Sequence, residues 1–232
     1  MSGDDLELGI AWQQHVSSSS AAGRRWFDSV LARHHETHRH YHGVRHVRWV
    51  VRHVRELVEQ HHVHDVGAIV AAAFFHDAIY QPARRDNESA SATLATNALA
   101  ELGWDSDRIH RVAALIKATA IEATAMHSST DLDTSVLLAA DLAVLAVGPS
   151  AYADYMRGVR QEYSSLSDDD WRTGRADVLR AFLARGHIYE PALGLATWER
   201  RARANIAAEL AGLAIEGLRG GESHEHDAEP AP

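Results

Sequence analysis

Apolar residues recur at three- and four-residue intervals from Leu6 to Glu216, and that spacing predicts helices along the whole chain. Leu6 to Val16 reads as a first helix, broken by Ser17-Ser18-Ser19-Ser20, and a second runs from about Ala21 to His35. Thr37 to Tyr41 is polar and predicts a connection. From His42 to Gln60, the residues Val47, Val50, Val51, Val54, Leu57 and Val58 form one apolar helix face. Asp65 is placed to cap a helix reaching Ile79, and Val66, Ile69, Val70, Phe74 and Phe75 make it almost wholly apolar. Such a helix belongs at the centre of a domain. Pro82 marks Tyr80 to Arg85 as a loop. Further helices are predicted from an Asp86 cap to near Gly103, from Ser106 to Thr119, and from Asp133 to Val147, where Gly148-Pro149 stops the pattern. Ala120 to Thr130 reads as helix ends plus a loop. Three more helices follow: Ala151 to Tyr163, Asp168 to Arg185 and Leu193 to Glu216.

No alternating strand pattern and no convincing linker interrupt this series. The prediction is an all-α, single-domain fold of about eight to ten helices over residues 1–216. The densest chemistry falls in about 39–147, the C-terminal helices in 151–216, and a Gly-, Glu-, His- and Pro-rich disordered tail in 217–232.

Composition narrows the function. The 232 residues are enough to bury a sizeable core. The absence of cysteine removes disulfides, thiolate metal sites and thiol nucleophiles together. A formal charge of −9 argues against general nucleic-acid or anionic-membrane binding, though not against one phosphorylated ligand in a locally basic pocket. No apolar run reaches membrane-spanning length, and the first residues lack a signal-peptide pattern, so a cytoplasmic location is expected. Histidine is unusually frequent: 17 in all, ten of them between His34 and His64. Most of these read as surface residues, including His34-His35, His61-His62 and the tail pair His224 and His226. The tryptophans sit at helical spacings and read as packing.

Two of the apolar helices carry ionisable groups. Phe74-Phe75-His76-Asp77-Ala78-Ile79 ends one, and Asp141 stands alone between Ala140 and Leu142 in the other. A buried carboxylate without a partner costs several kcal/mol or shifts its pKa. A buried salt bridge would answer for Asp141 alone, but a divalent cation satisfies His76, Asp77 and Asp141 at once. A histidine from the preceding helix would complete a set of two imidazoles and two carboxylates. His42 and His46 are four apart and share a helix face, and His53 lies angularly close to them. Spacing does not choose among the three.

In order, His46, His76-Asp77 and Asp141 resemble the H…HD…D pattern of the HD-domain metal-dependent phosphohydrolases. Tyr41-His42-Gly43-Val44-Arg45-His46 is similar to a segment of the cyclic nucleotide phosphodiesterases, distant members of that superfamily. A bacterial subgroup of predicted HD phosphohydrolases looks closest, through Phe75-His76-Asp77-Ala78-Ile79-Tyr80, Asp86-Asn87-Glu88-Ser89-Ala90, Ala140-Asp141-Leu142-Ala143 and Val159-Arg160-Gln161-Glu162-Tyr163. The likeness covers about Arg39 to Leu210. It implies that His46, His76, Asp77 and Asp141 bind a divalent ion (Mn, Zn, Co, Fe or Mg), that His42 is the general acid, and that His53 has no role. It also implies hydrolysis of a phosphoester or phosphoanhydride, as of a nucleotide or other small phosphorylated metabolite, with Asp77 orienting the attacking water or bridging a second metal.

Glu88 is a further candidate for assisting the water, against a simpler reading as a favourable charge at a helix N-terminus. Lys117 and His127 are candidates for substrate contact, with His127 and His110 as possible ligands of a second metal. Arg39, through its forked donors, is a candidate phosphate contact. Arg160 and Arg185 are weaker ones. Two other functions stay open: a nucleotide-sensing regulatory module with little turnover, and a di-iron oxygenase, which would need more histidine ligands. Exposed faces on the C-terminal helices leave room for a homodimer.

Overall fold

The computed structural model describes residues 3–82, 84–120 and 131–224, with side chains as far as Ile215. Among them are ten α-helices and two short 3-10 segments, and no strand. The helices are α1 (Gly3–His15), α2 (Ala21–His34), α3 (Val44–Val58), α4 (Val66–Phe75), α5 (Asn87–Glu101), α6 (Ser106–Ala118), α7 (Leu132–Asp141), α8 (Pro149–Glu162), α9 (Asp168–Ala184) and α10 (Ala196–His224). The 3-10 segments are Leu142–Ala146 and Pro191–Leu193. The all-α prediction holds. The ambiguous stretch after Ala120 lies, apart from that first residue, outside the described residues. So does His127.

α4 is the central helix. Every residue from Ala68 to Phe75 is buried, and α1, α3, α5, α6 and α7 pack around it. Phe74 and Phe75 meet Trp12 of α1 with ring centroids 5.2 and 5.9 Å apart, and Phe27 of α2 closes the cluster. Burying a ring of this size stabilises the fold by about 1.5–3 kcal/mol. The predicted stripe of α3 points inward, with Val47, Val50, Val51, Val54 and Leu57 all buried.

α5 and α6 form a helical hairpin whose turn passes through Gly103 at φ 76°, a left-handed conformation that glycine adopts without a Cβ clash. Asp65 caps α4 by accepting the Ala68 N–H at 3.0 Å. Asp133 is fully buried near the start of α7. Its carboxylate takes the backbone N–H groups of His64 and Asp65 and pairs with Arg111, fastening α7 to the α3–α4 connection.

Several helix ends differ from the sequence expectation, and the reasons are long-range. α3 begins at Val44 rather than His42, because Glu162 of α8 draws the N–H groups of His40, Tyr41 and His42 into a turn. α4 stops at Phe75 rather than Ile79, because the Arg39 guanidinium takes the carbonyls of Asp77 and Ala78 while Ser91 bonds both backbone groups of Ile79. α7 stops at Asp141 rather than Val147 and tightens into the 3-10 segment. The Leu142 carbonyl there accepts from Tyr189, and those of Leu145 and Val147 accept from Asn205.

Asp86 stands at the start of α5 without capping it. Its carboxylate is taken by Arg84, and Asn87 fastens the loop instead. α10 starts at Ala196, after Gly194 at φ 66°, and continues past Glu216 as far as His224, so the first part of the segment expected to lack structure is helical. Residues 225–232 lie outside the described ones. No single helix among the described residues is long and apolar enough to cross a membrane.

Candidate metal centre and its cavity

The altered ends of α3, α4 and α7 meet at one point. His46 enters from the first turn of α3, His76 and Asp77 from the turn after α4, and Asp141 from the last residue of α7. Their ligand atoms converge. His46 Nε2 lies 3.1 Å from His76 Nε2, 3.4 Å from Asp77 Oδ2 and 3.2 Å from Asp141 Oδ1. His76 Nε2 lies 3.2 Å from Asp77 Oδ2 and 3.6 Å from Asp141 Oδ1. Ligands held about 2.0–2.1 Å from a common ion at tetrahedral angles stand about 3.3–3.4 Å apart, which is the spacing found. His46, His76 and Asp77 form a group able to hold a metal ion.

The histidine tautomers bear on the fit. His76 Nδ1 donates to the Ala73 carbonyl at 3.0 Å, which leaves Nε2 as the ligand atom. His46 Nδ1 is buried with no partner, so the ring is held by packing, with the Tyr41 ring centroid 5.0 Å away. Burial by itself raises the Asp77 and Asp141 carboxyls. The two imidazoles more than reverse that and hold both well below the usual carboxylate range. Burial likewise lowers His46 and His76, and the same carboxylates raise both above the usual histidine value. Such mutual stabilisation of charge is what a buried cluster of this composition requires.

His42 lies beside the centre, in the turn before α3 rather than on its face. Its ring centroid is 5.5 Å from that of His46 and 4.4 Å from that of Tyr80. The nearness expected from helical spacing is therefore reached by another route. His42 Nδ1 donates to Glu162 Oε2 at 2.6 Å, so Nε2 is the nitrogen left for the cavity that His42 lines.

Glu162, which the sequence marks only as part of a family-like segment and gives no role, is the hub of this turn. Its side chain has no solvent exposure, Oε1 accepts three backbone N–H groups and Oε2 accepts His42 and the Tyr80 hydroxyl. Burial raises its carboxyl, and the bonds from His42 and the backbone bring it down to about 2. One signal was available: an acid at the last position of a helix sits against the negative end of the dipole and needs another reason to be there. Gly158, one turn earlier, permits the approach. A Cβ there would stand 3.1 Å from the His40 carbonyl oxygen and 3.2 Å from Tyr41 Cβ.

The remaining candidates separate. Glu88 lines the cavity, and burial followed by the Asp77 charge raises its carboxyl against a bond from its own backbone N–H. Arg39 does not reach the cavity. Its side chain is fully buried, and its donors go to Glu36 and to the carbonyls of His42, Asp77 and Ala78, so the expected phosphate contact is instead a clamp between the two site turns. Lys117 is exposed on α6 and does not line the cavity, and the same is true of His110. Arg160 pairs with Asp168 and stacks on Trp171. His53 packs between Trp49 and Trp198. His34, expected at the surface, is buried behind the site and bonds the Phe74 carbonyl, and burial drives it down to about 3, so it is neutral.

The centre forms the floor of a cavity of about 560 Å3. α8 and α9 build most of the opposite wall, and the rings of Tyr41, Tyr80, Tyr155, Tyr163, Trp171 and Phe182 line it. Arg84 and Arg85 stand at the exposed rim. Arg84 pairs with Asp86, and Arg85 has no partner among the described residues. The fold and site thus define an all-helical domain with a buried histidine–carboxylate centre opening into an aromatic cavity. Comparison with family models, curated proteins and solved structures gives no match.

Proposed function

We propose that the chain is a metal-dependent phosphohydrolase of the HD-domain kind, cleaving the phosphoester or phosphoanhydride bond of a small phosphorylated substrate. The observation that carries this reading is the approach of the His46 and His76 Nε2 atoms to each other and to an oxygen each of Asp77 and Asp141 at 3.1–3.6 Å, with a histidine beside them tied to a buried glutamate. His46, His76, Asp77 and Asp141 would hold one divalent cation of the Mn, Zn, Co, Fe or Mg type. The cation supplies an activated water and a positive charge for the phosphoryl oxygens.

The chain's own groups complete the reaction. As water attacks phosphorus, Glu88 accepts a proton at its carboxylate, which burial has made more basic than an exposed glutamate. As the phosphorus–oxygen bond to the leaving group breaks, His42 delivers a proton from Nε2 to that oxygen. Glu162 and Tyr80 keep the His42 ring in place, with Nε2 turned to the cavity.

The test is turnover of a panel of phosphomonoesters and nucleotides with added manganese, cobalt or zinc. Wild-type protein is expected to bind the ion and hydrolyse at least one ester, and His46→Ala to lose both. A metal-loaded wild type inactive on the whole panel but binding one nucleotide tightly would replace hydrolysis with sensing. Full activity in His46→Ala would remove the metal centre from the reaction.

A further inference from the structure

The cavity is much larger than a phosphate requires, and its walls say what else it holds. One face of α9 lines it, with Trp171, Gly174, Arg175, Val178 and Phe182 at helical intervals. Gly174 is the informative member. It lies well inside a 17-residue helix, its φ is not left-handed, and a Cβ there would meet nothing within 4 Å. Alanine would favour the helix and clash with nothing. Gly174 is exposed on the face of α9 that lines the cavity, so a larger side chain there would enter open space rather than packed atoms.

The chamber is also electrically matched. Arg175 is buried in the wall, but Glu209 takes its Nε at 2.7 Å and its Nη2 at 3.1 Å, and the Tyr155 hydroxyl accepts from the same Nη2. Tyr152 completes the set by donating to Glu209 at 2.6 Å. Asn87 is spent on the loop backbone, Thr119 on the Ile116 carbonyl and the Tyr80 hydroxyl on Glu162. An anionic group deep in the chamber would find the Arg175 guanidinium already paired and Glu88 and Asp170 on the lining, with Arg85 at the rim, whereas a flat apolar one would find ring faces.

We propose that this chamber receives the leaving group of the substrate, and that the group is flat, mainly apolar and without negative charge: a ring-bearing alcohol esterified to phosphate, with Gly174 as the residue that sets its size. The inference rests on the phosphohydrolase reading above. The shared chemistry belongs both to a nucleobase on its sugar and to an aryl alcohol.

Calorimetric binding of naphthyl phosphonate and methyl phosphonate to the manganese-loaded protein isolates the chamber, because neither compound can be hydrolysed. The naphthyl compound is expected to bind tighter by on the order of tenfold or more. Gly174→Trp is expected to cut the naphthyl-to-methyl affinity ratio by on the order of tenfold. Val178→Phe narrows the chamber from the next turn and carries the test if the first variant does not fold. An unchanged ratio in a folded variant, or equal binding of the two phosphonates to wild type, overturns the proposal.

Turnover of adenosine monophosphate and of naphthyl phosphate then separates the sources. The one whose kcat/KM falls in Gly174→Trp identifies the ring, and a fall in neither overturns the chamber's part in the reaction. Chamber-dependent phosphonate binding without turnover of any ester would support the chamber and overturn the hydrolase. Turnover indifferent to Gly174→Trp would do the reverse.

Discussion

Glu162→Gln isolates the contribution of one buried charge. The amide carbonyl can still accept the three N–H groups of the His40–His42 turn, while the negative charge and the acceptor for His42 Nδ1 and the Tyr80 hydroxyl are removed. In the folded chain the carboxyl is held at about 2 against an ordinary value of 4.5. It therefore binds fewer protons folded than unfolded, and the difference is worth about 3 kcal/mol at neutral pH. That contribution is complete above about pH 4.5 and is lost as pH falls through about 2. Urea unfolding of wild type and variant, followed by circular dichroism with a chelator present, should show a gap of about 3 kcal/mol at pH 7, or a Tm lowered by about 6–12 °C. Near pH 3 the gap should shrink to less than half. A gap below about 1 kcal/mol at pH 7, or one of equal size at pH 3, would refute the assignment of this carboxylate as the charged hub of the turn.

The other expectations concern the site. His42→Ala should retain its ion in equilibrium dialysis and lose turnover by about 10²–10⁴-fold; a rate near wild type would remove the proton-donor role. A cation at a hundred times its Kd should stabilise the chain by about 2.7 kcal/mol, raising Tm by about 5–11 °C, and chelation should reverse it; a Tm indifferent to both argues against a site formed only on folding. Gly158→Ala should lower turnover through displacement of the Tyr41–His42 turn, although alanine favours a helix by about 1 kcal/mol; unchanged kcat would show that the turn absorbs the methyl group.

The helices were legible because each carries its own periodicity. The valine stripe of α3 and the apolar run of α4 point where their spacing says. The approach of His76, Asp77 and Asp141 was legible for a related reason, since ionisable groups in apolar helices call for one another. What local pattern does not carry is the identity of a distant partner. The stops at Phe75 and Asp141 depend on Arg39, Tyr189 and Asn205, each far away in sequence. Arg39 looked like a free phosphate contact because its position in a polar connection gives no sign of the carbonyls above it. His34 reads as exposed from its polar surroundings, yet a single bond to the Phe74 carbonyl suffices to bury it neutral. Lys117 lies between the ligand-bearing segments in sequence, but its helix turns it outward.

The bonds from Asn205 to the segment behind Asp141 and from Glu162 to the His42 turn span 60 and 120 residues. Both run from the C-terminal helices into the portion before Gly148 that contributes all four convergent side chains. The two portions are therefore unsuited to exchange. A chimera joining residues before Gly148 to C-terminal helices of another origin would inherit every ligand side chain, yet lose the supports that aim two of the site segments. Recombination or truncation at this boundary should yield a chain complete in its list of functional groups and deficient in their geometry.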